Sequence, residues 1–183
     1  MNFNNIQKEE FAIIPLLILG LLKDCGQSSA YELLSVFKER NYKYLVHMTK
    51  GSLYYNLQKL ANEGLVRLVE IISVNNNPEQ HIYEITSEGN EHFNALMAKF
   101  SFQTDDITLA FYMTTLFAHH YDPEQFKSAV SAQIEKTQKK IAEIDFVLNS
   151  KRDVIYDTAK SMMNNVRAHH ELNLKWFQEL LEQ

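Results

Sequence analysis

The stretch "MTKGSLYYNLQKLANEGLVRLVE", from Met48 to Glu70, contains a helix with recognisable ends and the start of a strand. Thr49 is a favourable N-cap residue, and Gly64 suits the left-handed position that follows a helix. The pattern therefore predicts a helix that begins after Thr49 and ends at Gly64. Apolar residues at helical spacing predict its inward face: Leu53, Leu57, Leu60 and Ala61. The residues predicted to face outward are Lys50, Ser52, Tyr55, Asn56, Lys59 and Asn62.

The neighbouring segments make this helix the third of a small domain. Upstream, "FAIIPLLILGLL" predicts a buried helix, and "SAYELLSVFKER" predicts a second helix capped by Ser28 or Ser29. Downstream, "LVRLVEIISV" and "QHIYEIT" are rich in β-branched and aromatic residues, and "NNNPE" between them is typical of a turn. Thr86 or Ser87 then caps the helix "SEGNEHFNALMAKF". This order predicts a winged helix-turn-helix, mainly α with a small β-hairpin.

The charge of the chain is unevenly distributed. The net charge is −5. Between residues 38 and 67, however, the basic residues are Lys38, Arg40, Lys43, Lys50, Lys59 and Arg67, and the acidic ones are Glu39 and Glu63. Six basic and two acidic residues leave a local charge of about +4 around the third helix. Binding to nucleic acid depends on such local potential more than on net charge.

Several other classes of protein are disfavoured. An α/β enzyme would alternate strands and helices with glycine-rich crossovers, but this chain has five glycines and no phosphate-binding loop or Ser/His/Asp motif. The single cysteine, Cys25, cannot form an internal disulfide. The N-terminus lacks the basic region of a signal peptide, and Pro15 interrupts an apolar run that is about half as long as a membrane span. We expect a cytoplasmic protein without a cofactor, and not an enzyme.

The second half of the chain has a different, all-helical pattern. "DDITLAFYMTTLFAHHY", residues 105–121, predicts a short apolar helix, and Asp122 caps a long helix that runs to Leu148 with a heptad seam. A second long helix has a similar stripe: Ile155, Ala159, Met162, Val166, His169, Asn173, Phe177 and Leu180. Narrow stripes on two long helices favour pairing with another copy, while an intramolecular hairpin that packs only on the N-terminal half of its own chain is the alternative. The predicted domains are residues 1–100 and 101–183.

Five short motifs in register resemble the PadR family of bacterial transcription regulators over about the first ninety residues. They are "ILGLL" (18–22), "AYELL" (30–34), "GSLY" (51–54), "EGLV" (63–66) and "YEIT" (83–86). The second half resembles the dimerisation domain of the virulence activator branch of that family. The resemblance implies a homodimer that binds a palindromic operator in double-stranded DNA. It also implies a small aromatic or hydrophobic effector, and repression as the commoner mode of regulation.

The chain departs from the family pattern at three places. Tyr55 follows the GSLY motif where proline is common, and Ala30 replaces a glycine before Tyr-Glu. The third departure is the wing, "NNNPEQHIYEIT", which has Gln80 and His81 where arginine or lysine is common. Contacts between the wing and DNA are therefore expected to be weaker or more sensitive to pH.

The resemblance implies that the third helix contacts DNA. Lys50 and Lys59 suit phosphate pairing, while Ser52 and Asn56 suit hydrogen bonds to base edges. The alternative is a solvated helix face, with Tyr54 packed under the wing. The expected contacts on and before the helix are Thr49, Lys50, Ser52, Tyr54, Tyr55, Asn56 and Lys59. Those expected in the wing are Asn76, Asn77, Gln80 and His81.

Two further sets of residues are predicted in the second half. An effector pocket is predicted from Phe111, Tyr112, His169 and Trp176, with plain apolar core as the alternative. A dimer interface is predicted from Ile155, Met162, Val166, Phe177 and Leu180. Adjacent histidines on a helix point about 100° apart, so the pairs 119–120 and 169–170 do not predict a metal site. A scaffold that does not bind DNA is the alternative function.

Overall fold

The computed structural model describes residues 3–73, 79–150 and 155–182, with side-chain burial described from residue 13 onward. It contains seven α-helices and three β-strands within those ranges. The helices are α1 (Phe3–Cys25), α2 (Ala30–Glu39), α3 (Lys50–Asn62), α4 (Ser87–Ser101), α5 (Phe111–Leu116), α6 (Pro123–Ser150) and α7 (Asp157–Leu181). The strands are β1 (Ser28–Ser29), β2 (Val66–Ile72) and β3 (Gln80–Ile85). The predicted winged helix followed by long helices is confirmed.

The chain forms two compact units, Met1–Thr104 and Asp105–Gln183. In the first unit α1 lies at the centre and contacts α2, α3, α4 and β3. From residue 13 onward α1 supplies five buried side chains, and α3 packs three leucines against them. These side chains are Ile14, Ile18, Leu19, Leu21 and Leu22 of α1, and Leu53, Leu57 and Leu60 of α3. None of the helices in the described ranges could span a bilayer by length and hydropathy.

Helix α2 begins at a capping box formed by Ser29 and Glu32. The Ser29 hydroxyl accepts from the Glu32 backbone N–H (3.2 Å), and the Glu32 carboxylate accepts from the Ser29 backbone N–H (2.7 Å). Ser28 and Ser29 also pair antiparallel with Tyr83 and Ile82, and so add a third strand to the hairpin. Two residues are too short for a periodic signal, which is why the sequence did not predict β1.

Helix α3 has the ends that the sequence predicts. Thr49 and Ser52 form a capping box at its start, and the backbone turns at Gly64, where φ is +73°. Strand β2 follows and pairs antiparallel with β3, with a bulge between Leu68 and Glu70. Residues 74–78, which include most of the predicted turn and the expected contacts Asn76 and Asn77, lie outside the described residues.

The start of α4 packs closely against the backbone that leads from α3 into β2. Thr86 caps α4: its hydroxyl accepts from the Gly89 N–H (3.0 Å) and lies 2.8 Å from the Gly64 carbonyl and 3.0 Å from that of Leu65. A Cβ atom at Gly89 would lie only 2.0 Å from the Leu65 carbonyl oxygen and 2.8 Å from Ile85 Cγ1. Glycine is therefore required at this position for α4 to approach the end of α3.

The second unit is a helical hairpin with a short helix beside it. Asp122 caps α6 as predicted, by accepting from the Gln125 N–H at 2.8 Å. The prediction of a helix over residues 105–121 is wrong for most of its length. Only Phe111–Leu116 is α-helical, followed by a 3₁₀ turn at Ala118–His120. Ile107 and Leu116 remain exposed, so little packing is available to stabilise a longer helix there.

Helices α6 and α7 pack against each other within one protomer. The predicted stripe is buried at Ile155, Ala159 and Phe177 but is wrong at one turn, where Met163 is fully buried and Met162 is 50 % exposed. The buried stripe begins with Ile155 and Ala159, and Met163 lies one turn beyond Ala159 on the same side of the helix. Packing of α7 against α6 of the same chain therefore accounts for the burial of this stripe.

We predict that Gly89→Ala destabilises the first unit by about 2 kcal/mol or more, because the added methyl must displace backbone atoms of Leu65. Urea unfolding followed by circular dichroism measures the change. Gly20→Ala is the matched control, since its Cβ would meet only Phe93 at an ordinary 3.5 Å. This control should be neutral or slightly stabilising in the helix. Equal stability of Gly89→Ala and wild type would contradict this close packing of α4.

Candidate nucleic-acid interface

Helix α3 presents a continuous exposed face on the side opposite its leucines. Gly51, Tyr55, Gln58 and Asn62 follow one another at spacings of four, three and four, so they form one stripe along the helix. Tyr54 lies beside this stripe. The exposed residues of the helix are Lys50, Gly51, Tyr54, Tyr55, Gln58, Lys59 and Asn62. A helix with one buried and one free face can insert the free face into a groove of DNA.

The predicted outward position of Asn56 is wrong. Its side chain is 4 % exposed, and its amide nitrogen donates to the Ser52 carbonyl at 2.8 Å. Leu53 lies three residues before it and Leu60 four residues after it, so Asn56 shares the inward side of the helix with both. Its amide stabilises the first turns of α3 and is not available to a base.

Two other predicted contact residues organise the start of α3. The Ser52 hydroxyl accepts from the Thr49 backbone N–H (3.0 Å) and donates to the Thr49 carbonyl (2.9 Å). The Thr49 hydroxyl accepts from the Ser52 N–H at 3.0 Å. Both hydroxyls are therefore engaged in the capping box, and their observed role is to define where the helix begins.

Lys50 and Lys59 border the exposed face on its two sides. Nine residues, or about two and a half turns, separate them, so their side chains leave the helix in opposite directions. The Lys50 ammonium lies 5.7 Å from the centre of the Tyr54 ring and has no ion pair with a described residue. The Lys59 ammonium is 3.9 Å from a Glu63 carboxylate oxygen, an exposed and weak pair.

The local positive charge is smaller than the sequence count indicates. Arg40 pairs with Asp24, which lies outside the counted segment, and Arg67 pairs with Glu84 on β3. Hydrogen bonds from Gln27 and Arg67 hold the pKa of the Glu84 carboxyl below its ordinary value, so this acid stays ionised beside Arg67. Of the two lysines that border the α3 face, Lys50 is therefore the one whose positive charge is less offset by a paired carboxylate.

The side chain that sequence reasoning missed on α3 is Gln58. It is exposed, and no described residue forms a hydrogen bond with its amide. The signal was present in the sequence, because residue 58 lies seven positions after Gly51 and three after Tyr55 and therefore shares their face.

A cleft of about 860 Å³ lies between α3, the start of α2 and the start of β3. Four phenol rings line it, together with the Lys50 ammonium and the Gln58 amide; the phenols belong to Tyr31, Tyr54, Tyr55 and Tyr83. Gln80 and His81, two of the predicted wing contacts, also line it, so they lie close to the exposed face of α3. Burial raises the pKa of the Tyr83 phenol, which therefore remains protonated at neutral pH.

In the second unit, three of the four predicted effector residues come together. The Trp176 ring centre lies 6.1 Å from that of Phe111 and 5.2 Å from that of Tyr112, both in edge-to-face orientation. His169 lies two turns before Trp176 on α7 and is exposed. Burial, with Lys140 and His169 nearby, lowers the pKa of His170, so its imidazole is neutral at neutral pH. The structure thus brings the aromatic residues together without His169.

The five predicted dimer residues fall into three groups. Ile155 and Phe177 are buried inside the protomer, Val166 and Leu180 are half-buried, and Met162 is exposed. Large apolar side chains that were not predicted also remain exposed on these helices: Phe146 on α6 and Leu172 on α7, at 69 % and 66 %. Within the described ranges, no group of three or more histidine, cysteine or acidic residues could hold a metal ion.

A third helix with one free face, followed by a two-stranded wing, defines this first unit as a winged helix-turn-helix domain. Residues 18–95 match the family described as "Transcriptional regulator PadR-like family". The match covers 78 of the 183 residues, so residues 18–95 form a domain similar to that family of transcription regulators. Among curated proteins there is no match.

Solved structures with the same fold extend the likeness over nearly the whole chain. A PadR-like transcriptional regulator of Bacillus cereus is 24 % identical, with a TM-score of 0.70 over 92 % of this chain and 93 % of its own. PadR of Bacillus subtilis in complex with operator DNA is 17 % identical, with a TM-score of 0.71 over 93 % and 98 %. The virulence activator AphA of Vibrio cholerae is 19 % identical, with a TM-score of 0.71 over 92 % and 96 %.

Proposed function

We propose that this PadR-like regulator binds a palindromic operator as a homodimer and represses transcription, and that a small aromatic compound releases it. The observation that carries the DNA-binding part is the pair Lys50 and Lys59 on opposite sides of the free face of α3. A helix in the major groove has a phosphate backbone on each side, and two outward lysines suit that arrangement. PadR of Bacillus subtilis, which shares the fold, has been solved with operator DNA.

The homodimer part of the proposal is supported by apolar side chains that the protomer leaves uncovered. Met162 and Leu172 on α7 and Phe146 on α6 are each at least half exposed. Large apolar side chains left exposed on both helices of the hairpin are available for an interface with a second copy. Two linked copies would place two α3 helices on two half-sites, which raises affinity beyond that of a single domain.

The effector part is supported by an aromatic cluster in which the rings of Phe111 and Tyr112 each contact that of Trp176. Such rings suit a planar ligand, and PadR of Bacillus subtilis has been solved in complex with p-coumaric acid. Trp176 is the only tryptophan of the chain, so its fluorescence reports on this cluster.

We predict that Lys50→Ala weakens binding to every DNA sequence by a similar factor and lowers the slope of log affinity against log salt by about one, because it removes one phosphate contact. Fluorescence anisotropy of a labelled duplex from upstream of the protein's own gene, measured from 50 to 200 mM salt, gives both quantities. Lys139→Ala, an exposed lysine of α6, should leave them unchanged. If the protein is a scaffold that does not bind DNA, neither wild type nor either variant will form a salt-dependent complex with the duplex.

We predict that Leu172→Glu converts the dimer to a monomer and weakens operator binding at least tenfold, because a charge cannot be buried in an apolar interface and the second half-site is lost. Sedimentation velocity measures the assembly state and anisotropy the affinity. Asn164→Glu adds the same charge at another exposed position of α7 and should remain dimeric. A dimeric Leu172→Glu protein would place the interface elsewhere.

We predict that p-coumarate shifts or quenches the emission of Trp176 over the same concentration range in which it releases the operator. Cyclohexanecarboxylate, an acid of similar size without an aromatic ring, should do neither. Tyr112→Ala should shift both responses to higher ligand concentration, because Tyr112 contacts Trp176 directly. Release of DNA without any change at Trp176 would contradict the proposed position of the effector.

A further inference from the structure

The free face of α3 carries one uncommitted amide near its middle, that of Gln58. Asn56, the other amide near the centre of the helix, donates to the Ser52 carbonyl at 2.8 Å and is buried. Asn62 is the last residue of the helix. Gln58 is exposed, forms no hydrogen bond with a described residue, and lines the cleft beside Tyr54 and Tyr55. Both its donor and its acceptor are therefore available to a ligand.

The position of Gln58 relative to the lysines indicates what that ligand is. Lys50 and Lys59 leave the helix on opposite sides, and the stripe of Gly51, Tyr55 and Gln58 runs between them. If the two lysines meet phosphates, the stripe between them faces the base edges. Gly51 has no side chain to hold the first turn away from the DNA, and a Cβ there would contact only Thr49 Oγ1 at 3.9 Å.

The chemistry of the stripe favours one class of base pair. It contains no arginine or lysine, the residues that pair with guanine O6 and N7, and no carboxylate to accept from cytosine. A glutamine amide pairs with adenine by accepting from N6 and donating to N7. Tyr55, three residues before Gln58 on the same stripe, offers an aromatic ring for contact with a thymine methyl group.

We infer that Gln58 determines the sequence specificity of this protein, by reading the major-groove edge of an adenine in each half-site. This inference rests on the proposed function, because it requires α3 to enter a DNA groove. It assigns recognition to Gln58 and leaves Asn56 as a positioning residue inside the helix. Lys50 and Lys59 then supply affinity for any sequence, whereas Gln58 supplies preference among sequences.

The test compares full-length wild type and Gln58→Ala. Preferred sequences are selected from a pool of random duplexes, and affinities are measured for the best wild-type duplex and for a scrambled one. Gln58→Ala should bind the selected duplex about tenfold to hundredfold more weakly and the scrambled duplex equally well. Replacing one adenine with 7-deazaadenine, which lacks the N7 acceptor, should weaken wild type and leave Gln58→Ala unaffected. Gln125→Ala removes an exposed amide of α6 and should match wild type.

The outcomes separate this inference from the proposed function. If wild type selects a sequence and Gln58→Ala selects the same one with equal affinity, Gln58 does not read a base and the inference alone fails. Equal losses on selected and scrambled duplexes would also overturn it, since that result marks a contact without sequence information. If wild type binds no duplex with any preference, the proposed function fails together with the inference.

Discussion

The rotation of α3 about its own axis is set by the burial of Leu53, Leu57 and Leu60 against α1. Each buried leucine contributes about 2 kcal/mol relative to an exposed one, so turning the helix would be costly. This constraint decides which side chains of α3 belong to the candidate interface. It makes Asn56 part of the inward side, and it turns Gln58 outward. The capping box of Thr49 and the left-handed turn at Gly64 then fix where this face begins and ends.

The few unpaired positive charges around α3 limit how strongly one copy of the first unit can bind DNA. Arg40 and Arg67 are paired with Asp24 and Glu84, so the potential around α3 is weaker than the count of basic residues suggests. Since phosphate contacts dominate non-specific affinity, a single domain with few free cations binds weakly. Linking two such domains in a dimer compensates without further charge, because the second contact becomes intramolecular. An acidic protein can therefore bind DNA specifically if recognition is shared by two copies.

Local chemistry made much of the first unit predictable from sequence. Thr49 and Thr86 are cap residues, and the turn between the strands has a distinctive composition, so helix ends and the hairpin could be located. Features that depend on tertiary contacts could not. Strand β1 exists only because Ser28 and Ser29 meet β3, and the burial of Asn56 depends on how far the core extends around α3. At Gly89, the need for glycine appears only once Leu65 lies beside it.

The second unit shows why a heptad pattern does not by itself identify a partner. A stripe on α7 is satisfied as well by α6 of the same chain as by a second copy, and Met163 and Phe177 are buried in the first way. The proposed homodimer would then use side chains outside this stripe. The Phe111 ring of α5 contacts Phe126 of α6 and Phe177 of α7, which ties α5 to both long helices. A ligand that entered among these rings would have to shift α5 against the hairpin. An effector can act only through a difference in its binding to two states, so an effector of the proposed kind would change DNA binding through the packing of this unit.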